Sequence, residues 1–174
     1  KKKKISKREL FYQAINIERD ILKEPVGCQD QTISAVGGAN IIDFKNNNSI
    51  TVNSLNKFKK NLNELEKHML LVYTGISRIS FDITQDVILN IPKKKKIFKD
   101  IYDISVEAEN IFKKKNFQIN QISDLLNETW KLKKETSKKI SNNKIDEIYE
   151  IGIKNGAQSG KLLGGGGGGF VLFI

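Results

Sequence analysis

Six consecutive glycines, Gly164, Gly165, Gly166, Gly167, Gly168 and Gly169, stand between Gly160-Lys161-Leu162-Leu163 and the apolar tail Phe170-Val171-Leu172-Phe173-Ile174. Each glycine gives up backbone freedom on folding and offers no side chain to pack, so neither a helix nor a regular strand runs through such a segment. Next to five residues that need burial, the run reads as a loop whose backbone must approach something closely. A phosphate is the leading candidate. Successive N–H groups with no side chains in the way form an anion-binding concavity, and Lys161 supplies charge nearby. The competing reading is a flexible linker, but free glycine linkers are rarely followed by an apolar strand-like segment.

At 174 residues, 39% of them hydrophobic, the chain can bury one good core or two small ones. Its net charge of +10 fits a nucleic-acid binder, a membrane-surface protein or an enzyme of anionic substrates. The excess lies in short lysine runs, residues 1–4, 93–96 and 113–115, with few aromatics or arginines between them for stacking or base reading. Such runs read as solvated faces, so nucleic acid is not the expected partner. One cysteine, Cys28, excludes an internal disulfide, and the lone His68 gives neither a zinc pattern nor a Cys-His nucleophile pair. No apolar stretch is long enough to span a membrane, and the cytoplasm is the expected location.

Along the chain, Leu10, Ala14, Ile17 and Ile21, widened by Phe11, Ile15 and Leu22, predict a helix over 7–23 that Pro25 ends. Val26-Gly27-Cys28-Gln29-Asp30-Gln31 then reads as a polar turn, followed by 32–36, the pair Gly37-Gly38, and a hairpin of strands 41–44 and 50–52 around Asn46-Asn47-Asn48. The run Met69-Leu70-Leu71-Val72-Tyr73 is short and apolar enough for a central strand, stopped by Thr74-Gly75. Helices are predicted over 80–89, 97–115, 119–134 and 143–155. In the third, Ile122, Leu125, Leu126 and Trp130 recur at helical spacing, which puts Trp130 in the core. The last carries Asp146 and Glu147 in its first turn and ends at Asn155-Gly156. This order predicts an α+β fold, with helices covering one face of a small antiparallel sheet over 55–174. Residues 1–54, a helix, a turn and a hairpin without a complete sheet, are assigned to a different lobe.

Three segments resemble the GHMP superfamily of small-molecule kinases. These are Val26-Gly27-Cys28-Gln29-Asp30-Gln31 with Gly37-Gly38, then Leu71-Val72-Tyr73-Thr74-Gly75-Ile76-Ser77-Arg78, and then 156–170 with its glycine run. The Gln-Asp-Gln and Tyr-Thr-Gly-Ile-Ser-Arg strings, Trp130 with Lys133-Lys134, and the six glycines are most similar to the D-glycero-D-manno-heptose 7-phosphate kinases of that superfamily. The resemblance implies ATP-dependent, magnesium-assisted phosphorylation of the anomeric hydroxyl of a heptose phosphate, on the route to nucleotide-activated heptose. Fucose- and galactose-type sugar kinases of the same superfamily are the nearest alternative. A non-catalytic basic module that binds anions is the alternative of another class. The sequence departs from the pattern at Gly165, where alanine is usual, and at Cys28, where a basic residue is common. The superfamily's Pro-x-x-x-Gly-Leu-Gly-Ser-Ser-Ser phosphate loop is not among these residues. The expectation is therefore a C-terminal portion, inactive alone, of a kinase whose magnesium ligands lie in an N-terminal segment.

The resemblance also distributes roles. Asp30 matches the aspartate that orients or deprotonates the sugar hydroxyl, although an anomeric hydroxyl is acidic enough for positioning to matter more than proton removal. Gln29 and Gln31 would hold sugar hydroxyls or orient that carboxylate. On spacing alone, a Gln-Asp-Gln turn could equally cap the next element. Arg78, after a strand end and a glycine, has a planar fork suited to phosphate, with a surface salt bridge as its alternative. Gly37 and Gly38 would bring the backbone close to the sugar or to the opposite lobe, or form a simple turn. Lys161 and the six glycines would support the nucleotide phosphates without supplying a catalytic side chain. Sugar phosphate and ATP are the expected partners; oligomeric state is not indicated.

Overall fold

The computed structural model describes residues 5–77 and 81–174. The chain divides into two compact units, Lys1–Leu62 and Asn63–Ile174.

In the first unit, α1 (Lys7–Ile15) starts at a reciprocal cap in which the Glu9 N–H donates to the Ser6 hydroxyl at 3.1 Å and the Ser6 N–H donates to the Glu9 carboxylate at 2.9 Å. Its buried side chains are Phe11 and Ile15. The helix predicted over 7–23 does not continue regularly. From Asn16 to Ile21 the backbone widens into a π-helix, and Ile17, Ile21 and Leu22 are exposed. A π-turn inserts residues into the ladder and shifts the phase of everything after it, so the apolar stripe read from helical spacing leaves the buried face beyond Ile15. Helix α2 (Gln29–Val36) then ends at Gly37, and β1 (Asn40–Phe44) pairs antiparallel with β2 (Ile50–Ser54). The Tyr12 hydroxyl accepts from the Ile50 N–H at 3.2 Å, tying α1 to the hairpin. Helix α3 (Lys59–Lys67), read from sequence only as a polar stretch, carries the boundary between the units.

In the second unit, β3 (Leu70–Tyr73) leads to α4 (Phe81–Asn90), α5 (Lys95–Lys113), α6 (Ile119–Thr136) and α7 (Asn143–Lys154), followed by β4 (Gly160–Leu162) and β5 (Phe170–Phe173). The sheet order is β3-β5-β4, antiparallel throughout, with Val72 and Leu162 both opposite Val171. The apolar run at 69–73 is thus an edge strand rather than a central one. The central place goes to the tail after the glycines, which hydrogen-bonds on both sides. On one face of the sheet Val171, Phe173 and Leu162 pack with Ile83, Trp130, Ile140 and Ile145 to form the core, as the α+β reading of the sequence requires. Trp130, 1% exposed, lies at its centre.

Alternation along the strands decides which residues enter that core. Val171 and Phe173 face inward, while Phe170 remains 48% exposed. The Phe173 ring fills the space beside two glycines. A Cβ on Gly152 of α7 would stand 2.3 Å from the ring, and one on Gly160 of β4 would stand 2.7 Å from it. Helix α7 is capped by Asn142, whose side chain accepts from the Ile145 N–H at 3.1 Å.

Candidate functional site

In the first unit, the Gln-Asp-Gln string is not a turn. It is the first turn of α2, so three side chains one residue apart fan out around a helix start. Gln29 and Asp30 are exposed, and Asp30 is the acidic group of that turn, where the helix dipole favours a carboxylate. Cys28 precedes the helix without a capping side chain of its own; its carbonyl accepts from the Thr32 hydroxyl at 2.6 Å and its sulfur from Arg19 Nη1 at 3.0 Å. Gln31 points inward and is 7% exposed. Its amide nitrogen donates to the Glu18 carboxylate, which the π-turn carries to that place, and its buried amide oxygen has no partner among the described residues.

Gly37 and Gly38 leave α2 with φ of 70° and 72°, the left-handed region that disfavours any side chain. A Cβ on Gly37 would meet nothing within 4 Å. Among the described residues it is therefore the backbone turn, not crowding, that requires glycine there. Asn40 Nδ2 fastens the turn by donating to the Gly37 carbonyl at 2.8 Å and the Gly38 carbonyl at 3.2 Å.

In the second unit, the glycine run joins β4 to β5 and is anchored at every side. The Gly167 N–H donates to the Ile140 carbonyl at 2.7 Å, and the Gly169 N–H to the Ile76 carbonyl at 3.1 Å. The Gly169 carbonyl accepts from both the N–H and the hydroxyl of Thr74, each at 2.9 Å. Lys133 on α6 donates to the Leu162 carbonyl at 3.0 Å and the Gly164 carbonyl at 2.5 Å. Four of the six glycines have positive φ: Gly164, Gly166, Gly167 and Gly169. At Gly168 it is space that decides, because a Cβ there would lie 2.7 Å from the Ile76 carbonyl oxygen. The Tyr-Thr-Gly-Ile string and the glycine run, about ninety residues apart, thus form one structure. Lys144, at the start of α7, places its ammonium 3.4 Å from where a Cβ on Gly75 would be.

Lys161 lies on β4 ahead of the loop, opposite Leu172. Its stem is half-buried, and desolvation lowers the pKa of its ammonium. Arg78 lies outside the described residues. The described residues bring no three His, Cys, Asp or Glu side chains together around one point.

The sequence reading missed the groups that hold the loop from outside. Lys133 was visible only through its place in the Trp130-Lys133-Lys134 string. Ile140, which closes the loop from the other side, follows Ser137, whose hydroxyl donates to the Asp86 carboxylate. Asn90, one turn after Asp86, donates to the same carboxylate at 3.3 Å and to the Thr136 carbonyl at 3.0 Å. No spacing rule links these positions. Lys94, counted with a solvated lysine run, donates to the Glu135 carbonyl at 2.5 Å and stops the end of α6.

No family model matches the chain. It is 33% identical over 175 residues to a D-glycero-alpha-D-manno-heptose 7-phosphate kinase of Campylobacter jejuni, a match covering 95% of this chain and 49% of the relative. This chain therefore spans about half the length of that relative. Among solved structures, the mevalonate kinase of Methanococcus jannaschii superposes with a TM-score of 0.72 at 26% identity, covering 99% of this chain and 50% of the other. A D-glycero-D-manno-heptose 1-phosphate kinase from Bacteriodes thetaiotaomicron has a TM-score of 0.70 at 24% identity, covering 98% and 45%. At that identity the likeness is one of fold.

Proposed function

This chain is GHMP kinase-like in sequence and in fold over nearly its whole length, and from that premise we propose that it is part of an ATP-dependent kinase of a heptose 7-phosphate. The observation that carries the reading is the 33% identity to a heptose 7-phosphate kinase along 95% of the chain. The positions of the two matching motifs support it. One is an exposed carboxylate in the first turn of a helix; the other is a glycine loop with four residues at positive φ and several N–H groups that have no acceptor among the described residues.

In this reading the anomeric hydroxyl oxygen of the sugar attacks the γ-phosphorus of ATP, ADP leaves, and the hydroxyl proton passes to the Asp30 carboxylate. Gln29 is exposed beside Asp30 and takes a sugar hydroxyl. Gln31, turned inward and held by Glu18, steadies the helix turn that carries Asp30. The glycine loop stabilises phosphoryl oxygens through its backbone, and Lys161 contributes positive potential from the adjoining strand. Arg78 is assigned to the substrate phosphate by its motif alone. ATP is used with magnesium, for which this reading assigns no ligand in this chain.

The test is a side-by-side assay of the natural protein containing this chain, with ATP and heptose 7-phosphate, fucose or galactose. The expected result is the highest kcat/KM with heptose 7-phosphate. A preference for a sugar without a phosphate would replace the heptose assignment by another sugar kinase. No ATP consumption with any sugar, together with anion binding that collapses as salt rises, would favour the basic binding module.

A further inference from the structure

The glycine loop uses only part of its donors within the fold. Gly167 and Gly169 donate to Ile140 and Ile76, while Gly164, Gly165, Gly166 and Gly168 have no acceptor among the described residues. Among the described residues no peptide bond is cis. In a trans peptide the C=O and the following N–H point in opposite directions, so whatever grips a carbonyl also aims the next N–H away from itself. The Lys133 ammonium grips the Gly164 carbonyl at 2.5 Å and the Leu162 carbonyl at 3.0 Å. It therefore sets the Gly164–Gly165 peptide plane with the Gly165 N–H turned away from α6. Asn142 Nδ2, 3.5 Å from the Gly167 carbonyl, gives the Gly167–Gly168 peptide the same sense at the other side of the loop. With φ of 68° at Gly164, glycine backbone has wide rotational freedom at that corner, and an unanchored peptide there would rotate.

We propose that Lys133 is a positioning residue: by holding the Leu162 and Gly164 carbonyls it presents the Gly165 N–H to a phosphoryl oxygen of a bound ligand. The proposal rests on the kinase reading above for the ligand's chemical class, a phosphoryl group of either the nucleotide or the sugar phosphate. A lysine suits this task because its compact ammonium donates to two carbonyls at once. The catalytic atoms are elsewhere, so loss of the anchor should act on ligand binding first.

The experiment compares wild type, Lys133→Met and Lys133→Arg in the natural full-length protein. ATP binding is measured by calorimetry, KM for ATP and for heptose 7-phosphate from initial rates, and thermal unfolding from circular dichroism. Lys133→Met is expected to raise the KM for one of the two substrates about tenfold or more, the loss of an oriented hydrogen bond to a charged group, while kcat changes by less than about threefold. Lys133→Arg, which still donates to both carbonyls, is expected to recover most of that loss. The substrate whose KM moves identifies the phosphoryl group that the loop meets. If Lys133→Met lowers the melting temperature but leaves both KM values and the ATP affinity unchanged, Lys133 is only a strut and the proposal is wrong. Should Lys133→Met not fold, Lys133→Leu, which likewise removes the donor, carries the same comparison. A wild type that binds ATP but phosphorylates no sugar would refute the kinase reading, and the ATP affinities would then decide the role of Lys133. A wild type that binds neither substrate would refute both.

Discussion

A Cβ built on Gly166 would stand 2.9 Å from the Ile140 Cα and 2.8 Å from its Cδ1, so the glycine loop lies directly on the backbone of the turn between α6 and α7. The neighbouring Gly167 N–H bonds to the same residue's carbonyl. Gly166 also has φ of 112°, outside the range that side chains adopt readily. Gly166→Ala is therefore expected to cost about 2 to 4 kcal/mol through backbone strain and overlap with main chain that cannot step aside. Chemical denaturation of the two proteins measures it, and a loss under about 0.5 kcal/mol would show that the loop yields freely.

Ser123 of α6 and Ser159 ahead of β4 are 2% and 0% exposed and share a hydrogen bond of 2.7 Å. Ser159→Ala alone is expected to destabilise by about 1 to 3 kcal/mol, because the Ser123 hydroxyl is left buried without its partner. The double variant Ser123→Ala with Ser159→Ala should lose less than the sum of the two single losses. Additive losses in a double-mutant cycle would mean that the two hydroxyls are not coupled.

Burial lowers the Lys161 pKa below its ordinary 10.5. A folded-state pKa below the unfolded value means that the unfolded chain binds more protons between the two, so this group makes stability rise with pH across that interval. The cost of burying the ammonium is fully present below the folded pKa. Lys161→Met is accordingly expected to be more stable than wild type near neutral pH, with the gain shrinking as pH rises through the depressed pKa towards 10.5. Melting temperatures across that range test it, and a gain independent of pH would assign the effect to packing instead.

Asp30 is exposed in the first turn of α2, and its carboxylate has no hydrogen bond or ion pair among the described residues. In the natural protein Asp30→Asn should lower kcat by about 10²- to 10⁴-fold, the range for loss of a proton acceptor in phosphoryl transfer. Stability should change by less than about 1 kcal/mol, the scale of one charge at a helix start. Near-normal turnover would remove Asp30 from the reaction.

Local chemistry made much of this architecture readable in advance. The helices α4 to α7 follow from periodic apolar residues and end signals such as Asn155-Gly156, and the hairpin β1-β2 follows from alternation around an asparagine turn. These features depend on residues a few positions apart, which is the range over which propensity and periodicity act. Pattern reading failed where a distant contact or an irregular backbone decided. The π-turn at Asn16–Ile21 changed the helix phase, the sparse apolar content of α3 hid it, and Gln29–Gln31 joined a helix although its composition suits a turn.

What the sequence determined by itself was that a side-chain-free loop must lie before a buried apolar strand, and that its motifs resemble those of the GHMP kinases. Only the tertiary structure decided which groups give that loop its shape. Lys133, the pair Thr74 and Ile76, and Ile140 come to it from three different segments. A glycine run specifies no conformation of its own, because its many backbone states lie close in energy, so the fold around it must select one.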